Sequence, residues 1–355
     1  MMPCARPTLA GVIAIALSCL LLLSTIAARG ISTDESGAAS AADTVPEEGS
    51  AFLPLLQRNT SRYEITPPSR ATQDGPTPAS SQPTPTSQPS ADECADMADD
   101  WVFCDDFEAG RTWDGSVKEP VVLEAPGPFG TQDNHVARLR VPPGPGGYGL
   151  WKELPPSDRL YARWYVMWEP GHDLTARHHG PGGLGADTAW YTGRSGIRPE
   201  GDEYFVSTLE ASTRSPHEVY AYTYYRGMAM DCADPNGRCW GDHFPCYAAP
   251  RYCTRPEYLP KVAQAGTVTG RWVCFEQMID AGRPSQDGAS TDGQLDFWID
   301  GLRIGPWTDL WWRTVPSLEI NFLWLYLYHH DDAHSEEGIL LDHVVVSRSR
   351  VGCPR

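Results

Sequence analysis

Apolar and polar positions alternate with a period of two through several stretches of this chain. In residues 160–168, Leu160, Ala162, Trp164, Val166 and Trp168 fall on one face, and Tyr161, Arg163, Tyr165 and Met167 on the other. Period two belongs to a β-strand, whose successive side chains point to opposite faces. Residues 320–330 repeat the pattern: Asn321, Leu323, Leu325, Leu327 and His329 face one way, and Phe322, Trp324, Tyr326, Tyr328 and His330 the other. The leucine row is the core side, so Trp324, Tyr326 and Tyr328 face away from the core. His329 and His330 point in opposite directions and make a poor joint metal pair. Residues 219–226 place Tyr220, Tyr222, Tyr224 and Arg226 in one row and Val219, Ala221 and Thr223 in the other. Asp300-Gly301 marks a two-residue hairpin turn inside residues 295–304, and residues 339–347 form a last apolar strand. Helical periodicity is nearly absent. The pattern predicts an all-β domain, a two-sheet sandwich or jelly roll of antiparallel strands.

The domain occupies residues 93–355. Residues 1–28 combine Arg6 with a long apolar run ending in small residues, the pattern of an export signal, with an uncleaved anchor as the alternative. Residues 29–92, rich in Pro, Ser and Thr, hold too little apolar surface to offset ordering entropy and read as a disordered, semi-extended linker. A secreted or cell-surface monomer is expected, with a membrane tether if the signal stays. The formal net charge of -18 disfavours a nucleic-acid partner.

Eight cysteines follow the signal: Cys94, Cys104, Cys232, Cys239, Cys246, Cys253, Cys274 and Cys353. An even number in an exported chain implies disulfides. Cys232, Cys239, Cys246 and Cys253 are spaced seven apart in a Gly/Pro/Asp-rich insertion, residues 231–256, expected to close on itself. The other four then pair among themselves. Zinc is the weaker reading, because no C-x-x-C pair occurs and His243 is the only histidine inside.

Four segments carry a family resemblance: residues 103–108 (FCDDFE); residues 161–166 (YARWYV) with 179–184 (HGPGGL); residues 270–276 (GRWVCFE) with 293–301 (GQLDFWIDG); and residues 341–347 (LDHVVVS). In this order they resemble the concanavalin A-like jelly roll of the alginate and glucuronan type of polysaccharide lyase. The resemblance implies a polysaccharide partner and β-elimination at a uronate. It implies no cofactor, and allows a structural cation such as calcium. In such lyases a Lys-x-Pro-Gly loop supplies a basic catalytic residue and a Tyr-x-Tyr strand the proton-shuttling phenol. Here His179-Gly180-Pro181-Gly182 stands in the first position and Tyr220-Ala221-Tyr222 in the second. Histidine replaces lysine, and Leu209 stands where a Ser-x-Arg pair beginning at Ser207 would place arginine.

β-Elimination requires removal of the C5 proton, neutralisation of the adjacent carboxylate, and protonation of the leaving oxygen. His179, with His178 beside it, suits the base. Tyr222, with Tyr220, suits the acid. Arg163, Arg177 and Arg226 are candidate neutralisers. Tyr224, Trp324, Tyr326 and Tyr328 offer stacking surface for sugar rings. Two other readings compete: a non-catalytic carbohydrate-binding domain using the same aromatic row, and a glycoside hydrolase. The hydrolase needs paired carboxylates, for which Glu200-Gly201-Asp202-Glu203 is the nearest match. The bland alternative for the tyrosine row is a sheet face packed under a loop.

Overall fold

The computed structural model describes residues 93–354 except 111, 119, 189–193, 229–236, 246–266 and 331–332. The expected signal and linker, Cys232, Cys246 and Cys253 lie outside the described residues. A 3-10 turn (Glu93–Asp96) leads into seventeen strands: β1 (Trp101–Asp105), β2 (Gly115–Val117), β3 (Val121–Glu124), β4 (His135–Val141), β5 (Gly146–Ser157), β6 (Arg159–Trp168), β7 (His178–His179), β8 (Pro181–Asp187), β9 (Tyr204–Ala211), β10 (Val219–Tyr224), β11 (Asp242–Phe244), β12 (Val273–Asp280), β13 (Gly293–Ile299), β14 (Leu302–Arg303), β15 (Trp307–Leu310), β16 (Ile320–His329) and β17 (Glu337–Ser347). They form two antiparallel sheets. One runs β14-β13-β12-β6-β17-β4-β3, with β1 on β17 and β15 on β13. The other runs β11-β10-β9-β8-β16-β5-β2, with β7 on β16.

The rows read from the sequence face as expected. Leu160, Ala162, Trp164, Val166 and Trp168 are buried, as are Leu323, Leu325 and Leu327 on the opposing sheet. Trp164 and Trp168 both meet Phe275 edge-on at 5.9 Å. Full burial of one such side chain is worth roughly 1.5–3 kcal/mol, and these residues share one core between the two sheets with Leu323, Leu325 and Leu327. One polar link crosses it. Gln277 of β12 donates to Ser207 Oγ at 3.0 Å and accepts from the Leu184 amide at 3.0 Å.

Four cysteines pair among themselves as expected, Cys94 with Cys104 and Cys274 with Cys353. Cys239 is also oxidised. Both described pairs tie an end of the domain to the nine-stranded sheet.

Arg163 departs from its expected role. It projects from β6 away from the core, yet the N-terminal turn covers it completely. Its guanidinium pairs with Glu93 at 2.5 Å, and His343 Nδ1 reaches the same carboxylate oxygen at 3.0 Å. Burial opposes ionisation of Glu93, but the His343 hydrogen bond and the Arg163 charge outweigh it and hold its pKa below the ordinary value. Arg163 is a clamp on the nine-stranded sheet, out of reach of the aromatic row.

Candidate active site

The outward face of the eight-stranded sheet gathers the aromatic row. Antiparallel pairing puts Tyr220 opposite Glu210 and Tyr222 opposite Thr208 across β10 and β9. Tyr222 is also opposite His243 of β11, and His179 of β7 is opposite Tyr328 of β16. Directly opposed residues share a face. Backbone pairing therefore delivers two histidines, a glutamate and three tyrosines to one patch. Trp324 and Tyr326 extend it, their rings stacked at 3.9 Å. Gly149 makes this stack fit: a Cβ there would lie 2.7 Å from Trp324 Nε1.

Glu210 is the hub. Its side chain is wholly buried, and His179 Nδ1 lies 2.9 Å from Oε2 and 3.1 Å from Oε1. The Tyr220 hydroxyl donates to Oε2 at 3.1 Å. The hydroxyls of Thr208 and Tyr326 donate to Oε1 at 3.1 and 3.2 Å. A buried carboxylate costs several kcal/mol unless its lone pairs are satisfied, and here four side chains satisfy them. On its other edge, His179 Nε2 lies 3.0 Å from His330 Nε2. The Tyr222 ring stacks on the His179 ring at 5.6 Å. The Tyr222 hydroxyl meets that of Tyr224 at 2.7 Å.

These contacts set the charges. Burial disfavours the His179 cation, but the Glu210 charge and hydrogen bond prevail and raise its pKa above 6.5. Arg177 pulls it back down, which places a guanidinium within electrostatic reach. Burial likewise disfavours the Glu210 anion, and His179 prevails again, so its pKa is lowered from 4.5. Both partners move in the direction of an ion pair. Burial drops His243 to about 4, leaving it neutral near neutral pH. Burial, with Tyr224 second, pushes the Tyr222 phenol well above its ordinary value. Tyr222 is a proton donor here, not a ready phenolate.

The expected residues divide. Tyr220, Tyr222, His179, Trp324, Tyr326 and Tyr328 come together. Tyr220 is a hydrogen-bond donor to Glu210 and stacks on His243 at 4.3 Å, a positioning arrangement. Tyr224 is buried, and its hydroxyl accepts the Gly196 amide at 3.1 Å, so the chain itself covers it. Arg226 lies past the end of β10. There it pairs with Glu200 at 3.1 Å and sits over Trp311 at 4.8 Å. His178 points inward, buried, with Nδ1 donating to the Ala176 carbonyl at 2.8 Å. Of the three arginines considered as neutralisers, Arg177 is the one His179 feels. The hydrolase candidates are spent as surface ion pairs, Glu200 with Arg226 and Glu203 with Arg194.

Glu210, Thr208 and His330 belong to the cluster and escaped the sequence reading. Ser207 and Leu209 point into the core, so the residues of β9 on the outward face are the ones on either side of Leu209. The alternation of β9 carried that signal, since Leu209 is apolar between Thr208 and Glu210.

No family model matches the chain, and no curated protein sequence does. Among solved structures it is similar to an alginate lyase from Chlorella virus, at 13% identity and TM-score 0.47, over 67% of this chain and 93% of that one. It is similar to the endo-β-1,4-glucuronan lyase of the fungus Trichoderma reesei at 13% identity and TM-score 0.46, over 71% of this chain and 98% of that one. It is also similar to the carbohydrate recognition domain of Emp46p, at 10% identity and TM-score 0.36, over 66% of this chain and 89% of that one.

Proposed function

We propose that this domain is a polysaccharide lyase that cleaves uronate-containing glycans by β-elimination. One observation carries the reading: a histidine buttressed by a buried carboxylate stacks on a phenol held in its protonated form, on an open aromatic face. Elimination breaks the C5–H and C4–O bonds and forms C4=C5. Neutral His179 takes the C5 proton on Nε2, the nitrogen beside His330, while Glu210 holds the Nδ1 proton and fixes the tautomer. Tyr222 gives its phenolic proton to the departing O4. Arg177 offsets the uronate charge, which favours the enolate-like intermediate. Trp324 and Tyr328 offer stacking surface to neighbouring sugar rings.

Glu210 raises the pKa of His179 above its ordinary value, against the effect of burial. The rate therefore rises with pH through that raised value. The test is the ultraviolet absorbance of unsaturated products over a panel of polyuronates. Absorbance that grows with enzyme and vanishes in Tyr222→Phe supports the reading. The binding-module alternative draws on the Trp324–Tyr326 stack. It prevails if no polyuronate yields product while Trp324→Ala abolishes glycan retention.

A further inference from the structure

A second histidine group lies on the interior side of the sheet whose outer face carries His179. His172 follows β6, His329 ends β16 and Glu337 opens β17. The side chains of both histidines are sealed from solvent, and that of Glu337 is 1% exposed. His172 Nε2 lies 3.1 Å from Glu337 Oε2, and His329 Nε2 lies 3.5 Å from the same oxygen. One ligand-type atom from each residue falls within 4.8 Å of the other two.

The protons argue for something between them. His172 Nδ1 lies 3.2 Å from the Gly338 carbonyl, which can only accept. The ring proton therefore sits on Nδ1, and Nε2 presents a lone pair to Glu337. Glu337 Oε1 accepts the Ser335 hydroxyl at 3.0 Å. Neither Glu337 Oε2 nor His172 Nε2 makes a hydrogen bond, although they face each other. Two buried lone pairs at this distance repel unless a proton or a metal ion sits between them. Ligand atoms about 2.0–2.2 Å from a tetrahedral zinc ion are about 3.3–3.6 Å apart, close to the two spacings to Glu337 Oε2.

We propose that His172, His329 and Glu337 bind a transition-metal ion, with Zn²⁺ the best match to two imidazoles and one carboxylate. Calcium and magnesium prefer all-oxygen shells, and a nitrogen-rich set selects against them. The Gly338 carbonyl is the outer partner that fixes the His172 tautomer, a usual companion of a metal-bound histidine. His178 packs beside the three. Its ring packs edge-on to His172 at 5.8 Å, and its buried Nε2 has no hydrogen-bond partner. The ion would tie the segment after β6 to the facing ends of β16 and β17, one residue behind His179 and His330. It is a site for holding those strand ends in place, and it stands apart from the elimination chemistry.

The full chain, stripped with a chelator and dialysed, is titrated with ZnCl₂ and assayed by elemental analysis after gel filtration. Cobalt(II) substitution and thermal unfolding run in parallel. The expected result is a single retained equivalent of zinc, a rise in Tm, and the intense visible absorption of tetrahedral cobalt(II). Glu337→Gln keeps the shape of the side chain and removes the charge. It should weaken zinc binding about tenfold or more while circular dichroism and elution stay as in the parent. His329→Asn should act in the same direction. Failure of the parent chain to retain zinc or gain Tm overturns the proposal, and so does a folded Glu337→Gln variant that binds zinc as tightly as the parent.

Discussion

Each sheet carries a glutamate bound to a histidine, and the two have opposite fates. On the nine-stranded sheet Glu93 joins His343 and Arg163, and both partners are sealed from solvent. On the eight-stranded sheet Glu210 joins His179, whose side chain remains 31% exposed. In both, ionisation of the carboxylate is favoured against burial by its partners. The difference lies in what the histidine can still touch. His343 is locked beneath the N-terminal turn, with Phe129 edge-on at 4.8 Å. His179 keeps one face on Tyr222 and one nitrogen toward His330. Under the proposed elimination, the pair with one member open serves the reaction, and the sealed pair serves as a clamp.

Disabling the open pair should have the largest effect. Tyr222→Phe removes only a hydroxyl and should lower kcat about a hundredfold or more with KM little changed. An unaltered lyase rate in this variant would remove Tyr222 from the mechanism. His179→Ala should cost as much in rate. It should also destabilise the fold by on the order of 2 kcal/mol, less than a sealed pair would lose, because water partly screens this one.

The closed pair should show the reverse. Arg163→Met leaves the buried Glu93 charge short of a partner and should cost about 3 kcal/mol, read as a lower denaturant midpoint. Its kcat should match the parent at temperatures where both are folded. A rate loss without a stability loss would put Arg163 back among the substrate contacts.

The third prediction is a shift along the pH axis. Glu210→Gln removes the charge that raises His179, so the acid limb of kcat/KM should move to lower pH. The ion pair also contributes to stability. The His179 share is fully present below its ordinary value of 6.5 and fades as pH rises through the raised folded value. The Glu210 share is present above 4.5 and fades as pH falls through the lowered folded value. The parent should therefore exceed Glu210→Gln most in stability between these two pH values. A pH-independent gap would break the assignment.

The smallest effect belongs to the aromatic floor. Trp324→Ala should weaken substrate binding by about 1 kcal/mol, seen as a several-fold rise in KM at nearly constant kcat. An unchanged KM would move sugar stacking to Tyr328.

The two sheets were unequally legible in the sequence. Rows such as Leu323-Leu325-Leu327 and Tyr220-Tyr222 were readable because strand alternation is local and strong. His179 was reachable through its Gly/Pro-rich loop and the family resemblance. Glu210 was not, because its position opposite Tyr220 depends on the register of the β9–β10 pairing, which alternation within one strand does not fix. Arg163 was misread for a related reason. Alternation puts it opposite Trp164, but the turn that covers it lies 70 residues earlier in the chain. Arg226 fits the row on paper, yet β10 ends at Tyr224 and the chain turns toward Glu200. His330 reads as half of a poor metal pair because His329 faces the other way, while its true partner, His179, comes from β7.

The two disulfides have a mechanical consequence. Cys94 is stapled to β1, and Cys353 to β12, where the Val351 and Gly352 amides also hold Glu276 at 2.7 and 3.1 Å. Strands peel most readily from a free end, and here neither end of the sandwich is free. A pull on the chain upstream of Glu93 is taken up by a covalent bond and then loads β1 in shear along its pairing with β17. That load falls first on the nine-stranded sheet, not on the one that carries the histidine–tyrosine face. An anchored or dragged copy of this protein would keep that face in register under tension.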